Sequence, residues 1–459
     1  MNRHRSIISL MLAICLMFTI AACGNGNGNG GGSNNGGNNP TTTSEGNNNE
    51  QPATNNESTG DEKLTLYVYS NSGDSVESWN ERFGDLLKEK FPNYTIEYIP
   101  KTDEVGLSEL ITAGQRIDIF WESIGGFSTY LLGADMQYDM TELIEKHGID
   151  LTQLESTSMD AIRQISGDNQ IYGLPVFNNT MVMYYNKDLF DKFGVDYPKD
   201  GMTWTEAAEL SKKLTRTEGD KIYAGLSTSE THMLLMNQLS IPFVDPETQK
   251  ATLDVDERWK DYYETVFVKP ADASGYREYM VAHANKLPYR KEFLEAQDLA
   301  MFGWLSSITF VFPEEFSKMN WDMVAMPTFD DAPGVGTQAY PTYFSVTNMA
   351  ENKDAAMEVI KYLISDEVQS KLSRMGVMPI VNNDSIIQQF GEDSMFKGKN
   401  FGAAFYNDFA PISYKSDFDR SLVTPYAKAA PRVVLEGDFN TIFREYAEES
   451  NQKITDSGQ

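Results

Sequence analysis

Two short stretches set carboxylate and amide groups directly behind apolar runs. "SNSGD" brings Asn71, Ser72 and Asp74 to the end of "LTLYVYS", and "IDIFWES" ends on Trp121 and Glu122. Further along, "FNN" places Asn178 and Asn179 between two apolar runs, "FGW" carries Trp304, and "AYPTYF" carries Tyr340 and Tyr343. Planar rings cover flat apolar faces of a ligand, while carboxylates and amides accept and donate hydrogen bonds at its rim. That is the chemistry of holding a molecule. Bond-breaking chemistry has less to rest on, because no "GxSxG", "HExxH" or P-loop occurs. The four histidines (His4, His147, His232 and His283) lie far apart without clustered Cys or Asp, so no metal-ligand spacing is present and no metal or cofactor is expected.

These residues need a frame. Leu64 to Ser70 is a β-branched and aromatic run, and "SVESWNERFGDLLKEKF" follows with Val76, Trp79, Phe83, Leu86 and Leu87 at helical spacing. "YTIEYIP", "GLSELITAG" and Ile117 to Ser123 continue the alternation as strand, helix and strand. A β-α-β-α-β order predicts an α/β fold with a mostly parallel sheet flanked by helices. In such sheets ligands sit beyond the carboxyl ends of the strands, where "SNSGD" and "WES" lie. In "TWTEAAELSKKLT", Thr203 or Thr205 is placed to cap a helix. "EAQDLAMFGWLSS", "NWDMVAMPTF" and "AYPTYFSVTNMA" give three later strands, "DAAMEVIKYLISDEVQSKL" a periodic helix, and the last stretch from Thr424 further helices. A chain of 459 residues with an early and a middle group of strands predicts two lobes.

The first sixty residues are of another kind. Arg3 and Arg5 precede an apolar run from Ile7 to Ile20, too short to span a bilayer permanently, so residues 1–22 are expected to be a secretory signal. "IAAC" at its end resembles the lipobox of bacterial lipoproteins, which implies acylation of Cys23. Cys15 would leave with the signal, so no disulfide is expected. Residues 23–61, rich in Gly and Asn, cannot bury enough apolar surface to offset their ordering entropy and are expected to form a tether. A Gly-rich coil of about 38 residues reaches roughly 30 to 35 Å. The "GNGNGNGG" within it follows no strand and opens no helix, so it carries no dinucleotide-binding meaning.

The formal charge is -29, from 67 acidic and 38 basic residues. Such a surface repels phosphate backbones, so a nucleic-acid partner is not expected.

"YGLP" from Tyr172, "MYYNKDLFDKFGV" from Met183 and "TWTEAAEL" from Thr203 resemble the carbohydrate-binding extracellular solute-binding proteins of bacterial ABC importers, the family that includes the maltose-binding proteins. "GQRIDIFWES", "LAMFGWLSS", "WDMVAMPTF" and "YFSVTNMAENKDAAMEVIKYLISDEVQSKL" extend the resemblance over most of Leu64 to Glu449. It implies a two-lobed periplasmic-binding-protein-like fold of type II with a ligand cleft between the lobes. Lobe 1 would comprise residues 64–177 and 327–378, and lobe 2 residues 178–326 and 379–450, with crossings near Phe177 to Thr180 and Val324 to Met326. Trp121 and Trp304 match family positions that stack on sugar, Tyr340 and Tyr343 match positions facing the cleft, and Asn178 and Asn179 stand at the crossing where maltose-binding members carry a carboxylate. The resemblance also implies a carbohydrate ligand, an ABC permease as partner, a monomer, and a lipid anchor on the outer face of the cell membrane. Sugars present hydroxyl rims and apolar C–H faces, which suits the residue types named above. Two other readings share these residues: a secreted glycoside hydrolase or lyase built on paired carboxylates, and a receptor for a peptide, iron or phosphate. Oxyanion receptors favour basic residues near the cleft. The strand-end loops offer Glu122, Asp74 and amides instead, which predicts a neutral glycan.

Overall fold

β1 (Leu64–Tyr69), β2 (Tyr94–Ile99) and β3 (Ile119–Ser123) form where the apolar alternation predicts. In the computed structural model, which describes residues 63–167 and 170–457, these strands pair in parallel with β1 in the middle. The expected signal, Cys23 and the tether lie outside the described residues. Between β1 and β2 the helical segment 76–90 buries Trp79, Phe83 and Leu87, four residues apart on one face. Ser75 caps it, its hydroxyl accepting from the Ser78 backbone N–H at 3.2 Å.

The remaining strands are β4 (Leu174–Asn178), β5 (Met181–Asn186), β6 (Arg216–Glu218), β7 (Lys221–Thr228), β8 (Leu299–Leu305), β9 (Trp321–Ala325), β10 (Val335–Gln338), β11 (Thr342–Val346), β12 (Met378–Pro379) and β13 (Asp408–Ala410). One sheet runs in the order β12-β4-β11-β3-β1-β2, the other β6-β7-β8-β5-β9, and β10 pairs with β13. The α/β fold with two sheets is the expected one, but the pairing within each sheet is mixed rather than mostly parallel. β11 runs antiparallel to both β3 and β4, with Phe344 opposite Trp121, and in the second sheet only β7 and β8 are parallel. Strands that return from the other sheet enter against the direction of the local β-α-β units, and local patterning carries no trace of that.

Each sheet has its own apolar core. The chain passes from the first to the second between Asn178 and Met181, returns between Gln338 and Thr342, and leaves again between Ile386 and Phe390. For the first passage, the family resemblance implies a crossing near Phe177 to Thr180. The second comes later than Pro327, because Phe329 is buried in the second core and the Pro327 carbonyl accepts from Gln238. The third comes after 378, since Ile380, Val381 and Ile386 pack into the first core.

In the second lobe, the helix Trp204–Leu214 begins at a reciprocal cap: the Thr203 hydroxyl accepts from Glu206 N–H and the Glu206 carboxylate accepts from Thr203 N–H. The periodic stretch after Asn352 is two helices, Lys353–Leu363 and Asp366–Met375, because the chain turns out of the helix at Ser365. Two long helices, Asp419–Glu436 and Phe439–Ser457, close the chain. Among the described residues, no helix is long and apolar enough to cross a membrane.

Candidate ligand-binding site

The carboxyl ends of β1 and β3 open into one cavity of about 330 Å3. Behind β1, Gly73 takes φ +77°, a left-handed turn open to glycine, and the loop folds back on itself. The Ser70 hydroxyl accepts from Ser72 N–H at 3.0 Å, and the Asp74 carboxylate takes the hydroxyls of Ser72 and Ser78 and pairs with Arg82. Asn71 accepts from the Tyr69 hydroxyl at 3.1 Å, while its Nδ2 has no partner.

Behind β3, the Trp121 ring lies flat on Phe344, 5.5 Å between centroids and 6° between planes, with Trp79 beyond and Phe177 edge-on. The Arg82 guanidinium sits 5.7 Å from the same ring. Only 3% of Trp121 is exposed, yet it reaches the cavity and its Nε1–H is unpartnered. Glu122 accepts from Ser123 N–H at 2.9 Å and from the Ser123 hydroxyl at 3.1 Å. Burial pushes its carboxyl above the ordinary range, against the Ser123 hydrogen bonds and the fields of Arg420 and Lys101.

The first passage between lobes forms the far wall. Asn178 Oδ1 accepts from the backbone N–H of Asn179 (2.8 Å) and Tyr340 (2.9 Å), which fixes the amide and leaves Nδ2 unpartnered. Asn179 donates to the Ser307 hydroxyl and accepts from Ser306, tying the passage to the end of β8. A second cavity of about 650 Å3 shares Asp74, Arg82, Phe177 and Asn179 with the first and extends past Asn178 towards Ser307 and Phe310.

The first cavity thus gathers Asn71, Ser72 and Asp74 from one strand end, Trp121 and Glu122 from another, and Asn179 and Tyr340 from the passages. Asn178 lines the second cavity. Two of the expected cleft residues are elsewhere. Tyr343 is fully buried in the first core, its hydroxyl donating to the Ser158 carbonyl at 2.7 Å and its ring edge-on to Phe127. Trp304 is 4% exposed and lines neither cavity. It packs under Phe312 and against Phe302 and Tyr289, so its apolar surface is already covered by its own lobe.

Sequence reasoning missed Phe177 and three cations of the first cavity, Arg82, Lys101 and Arg420. Lys101 follows β2, so the strand-end rule could have found it. Arg82 lies eight residues past Asp74 in the capped helix, within reach of it. Arg420 sits at the start of a late helix and has no local signal.

With this arrangement in view, the sequence pattern of the bacterial extracellular solute-binding proteins matches residues 69–370, more than half of the chain. The chain belongs to that family. Among curated members, the arabinooligosaccharide-binding protein of Bacillus subtilis (strain 168) is 26% identical over 195 residues, 41% of this chain and 43% of that protein. A mannitol-binding protein of Pseudomonas aeruginosa is 24% identical over 165 residues, 35% of each chain. The chain therefore aligns with less than half the length of the curated relatives it matches. Solved structures share the fold over far more: a sugar transporter of Rhizobium etli in an open conformation superposes with a TM-score of 0.65 at 20% identity, covering 85% of this chain and 99% of that one. An ABC substrate-binding protein of Listeria monocytogenes in complex with cycloalternan gives 0.64 at 17%, covering 86% and 100%. The two-lobed type II fold of these solute-binding proteins is the fold of this chain.

At the end of β7 this solute-binding protein carries two titratable groups in half-buried positions, Glu230 and His232. Burial raises Glu230 to about 7, opposed by its own backbone N–H, and burial, helped by Arg420, lowers His232 to about 4. The His232 ring bonds the Ser229 hydroxyl at 2.7 Å. The unfolded chain ionises Glu230 near 4.5 while the folded chain keeps the proton up to about 7, so stability falls as pH rises through that window. His232 acts at the other end. The unfolded chain takes up its proton below 6.5 and the folded chain only near 4, so stability falls again as pH drops through that range. At about 1.4 kcal/mol per unit, and trimmed for partial exposure, Glu230→Gln is expected to stabilise the protein by about 1–2 kcal/mol at pH 8 and to change little at pH 4.5. Melting curves at the two pH values check this. A variant melting below the parent at pH 8 would show that the ionised carboxylate has a stabilising partner.

Proposed function

We propose that the protein captures a carbohydrate in the cleft between its lobes and delivers it to an ABC permease, held to the membrane by a lipid on Cys23 and acting as a monomer. The observation that carries the reading is the convergence of Trp121, Phe177, Glu122 and Asn71 on a cavity at the strand ends, beside the passage that joins the lobes. Aromatic rings together with hydrogen-bonding groups are what a polyhydroxylated ligand requires. The names of the relatives agree, from arabinooligosaccharide to mannitol. Capture rather than hydrolysis fits the state of Asp74, one of the two carboxylates of the first cavity: it is occupied by Arg82 and two serines, which leaves Glu122 without the free second carboxylate that glycoside hydrolysis uses. The lobes close by rotation at the three passages when ligand bridges them, and Asn178 and Asn179, whose amides tie the first passage together, hold that hinge.

A thermal-shift screen of residues 61–459 against mono- and oligosaccharides, with amino acids, peptides and oxyanions as controls, tests the reading. A ligand present at one hundred times its Kd adds about 2.7 kcal/mol, a rise of several degrees. A saturable rise with one glycan class and no product on standing is the expected result. Shifts with peptides or inorganic oxyanions alone would end the carbohydrate reading, and cleaved glycan would replace the receptor with an enzyme.

A further inference from the structure

The first cavity has a charge pattern unlike the rest of the molecule. In a chain of 67 acidic and 38 basic residues, its wall carries Arg82, Lys101 and Arg420 against Asp74 and Glu122. Arg82 and Asp74 cancel as an ion pair. Lys101 and Arg420 are exposed and, among the described residues, make neither a salt bridge nor a hydrogen bond with protein. Asp419, next to Arg420, does not neutralise it, because its carboxylate turns inward to the hydroxyl of Ser416 at 2.6 Å. Glu122 lies within the field of both, and burial holds it above the ordinary carboxylate range.

A second, independent observation points the same way. The buried polar atoms of this wall that lack a partner are Asn71 Nδ2 and Trp121 Nε1, and both are donors. Trp121 is 97% buried yet lines the cavity, and leaving its N–H without a protein partner there is costly. A sugar hydroxyl donates as well as accepts, whereas a carboxylate only accepts. Two unpaired cations and two orphaned N–H groups ask for an acceptor that carries charge. The second cavity has an orphaned donor too, Asn178 Nδ2, but no unpaired cation: the cation in its lining is the paired Arg82, and Glu81 and Asp393 also line it, the latter bound by Arg374.

We infer that the cleft takes a saccharide bearing a carboxylate, a uronosyl unit whose carboxylate sits between Arg420, Lys101, Asn71 and Trp121 while neutral units extend into the second cavity. This rests on the carbohydrate reading above and replaces the neutral glycan that the strand-end loops alone predict. Arg420 supplies a fork matched to a carboxylate and Lys101 a point charge, which divides recognition from attraction.

Calorimetric titration of residues 61–459 tests it with galacturonate and glucuronate, from monomer to tetramer, against galactose and glucose of the same lengths and linkages. At least one uronate is expected to bind ten times or more tighter than its neutral counterpart, and to weaken between 50 and 500 mM salt, as screening of an exposed pair requires. Arg420→Gln and Lys101→Gln each lower that affinity about tenfold and flatten the salt dependence, with the unliganded melting temperature unchanged because both side chains are exposed. Neutral sugars binding as tightly as the uronates, or an Arg420→Gln variant of parental affinity, would overturn the charged ligand and leave the sugar receptor standing. Acetate, phosphate or sulfate binding as well as any uronate, with no saccharide preferred, would overturn both.

Discussion

Trp121→Ala is expected to cost about 3–5 kcal/mol of folding stability, the range for removing a buried aromatic from a packed core. The ring is the centre of a layered stack in the first lobe, with Phe344 parallel to it across the β3–β11 ladder, Trp79 on its other neighbour, and Phe177 at its edge. Removing it opens a space that a sheet and a capped helix cannot collapse to fill. Its role towards ligand is separable. Trp121→Phe keeps an aromatic ring in the stack but removes the five-membered part of the indole together with Nε1–H, so folding should fall by about 1–3 kcal/mol, less than in Trp121→Ala, while affinity for a bound glycan drops several-fold, the value of one hydrogen bond. Urea unfolding gives the first quantity and calorimetric titration the second. Parental affinity in Trp121→Phe would show that the buried N–H is not used by ligand.

Trp304→Ala is expected to behave differently from what family resemblance suggests. As a sugar platform it would lose affinity and keep its stability. Packed against Phe312, whose ring also has the Arg290 guanidinium 4.8 Å from its centroid, and beside Phe302 and Tyr289, it should instead lose about 3–5 kcal/mol of stability. Affinity, measured where the variant remains folded, should stay within about threefold of the parent, since the ring lines neither cavity. A hundredfold loss of affinity at an unchanged urea midpoint would return Trp304 to the ligand.

What was legible in the sequence follows the range of the interaction involved. The β1, β2 and β3 ladder and the helices around it rest on periodicity within some ten residues, and those elements stand where the pattern puts them. The rule that ligands gather at strand ends was enough to name Asn71, Ser72, Asp74, Trp121 and Glu122, all of which line the first cavity, because it depends only on knowing where each strand stops. Pairings made across hundreds of residues were not legible. Phe344 opposite Trp121 is one, and Arg420 within the field of Glu122 is another; neither leaves a local mark. Tyr340 and Tyr343 show the limit at close range: three residues apart in one motif, the first lines the cavity and the second holds Ser158 in the core. Strand β11 begins between them, and its first residues decide which face each ring meets.

The position of β11 has a consequence for the order in which the molecule can be made. It lies between β3 and β4, at the middle of a sheet whose other strands, apart from the two residues of β12, are all complete by Asn178. A chain growing from its amino terminus has β1, β2 and β3 as one fragment and β4 as another, with nothing to join them until Thr342–Val346 is present. The second sheet, by contrast, has all five of its strands once Ala325 is made. The sheet that starts first is therefore the one that closes last, and the wall carrying Trp121 and Glu122 acquires its backing ring, Phe344, only after three quarters of the chain exists.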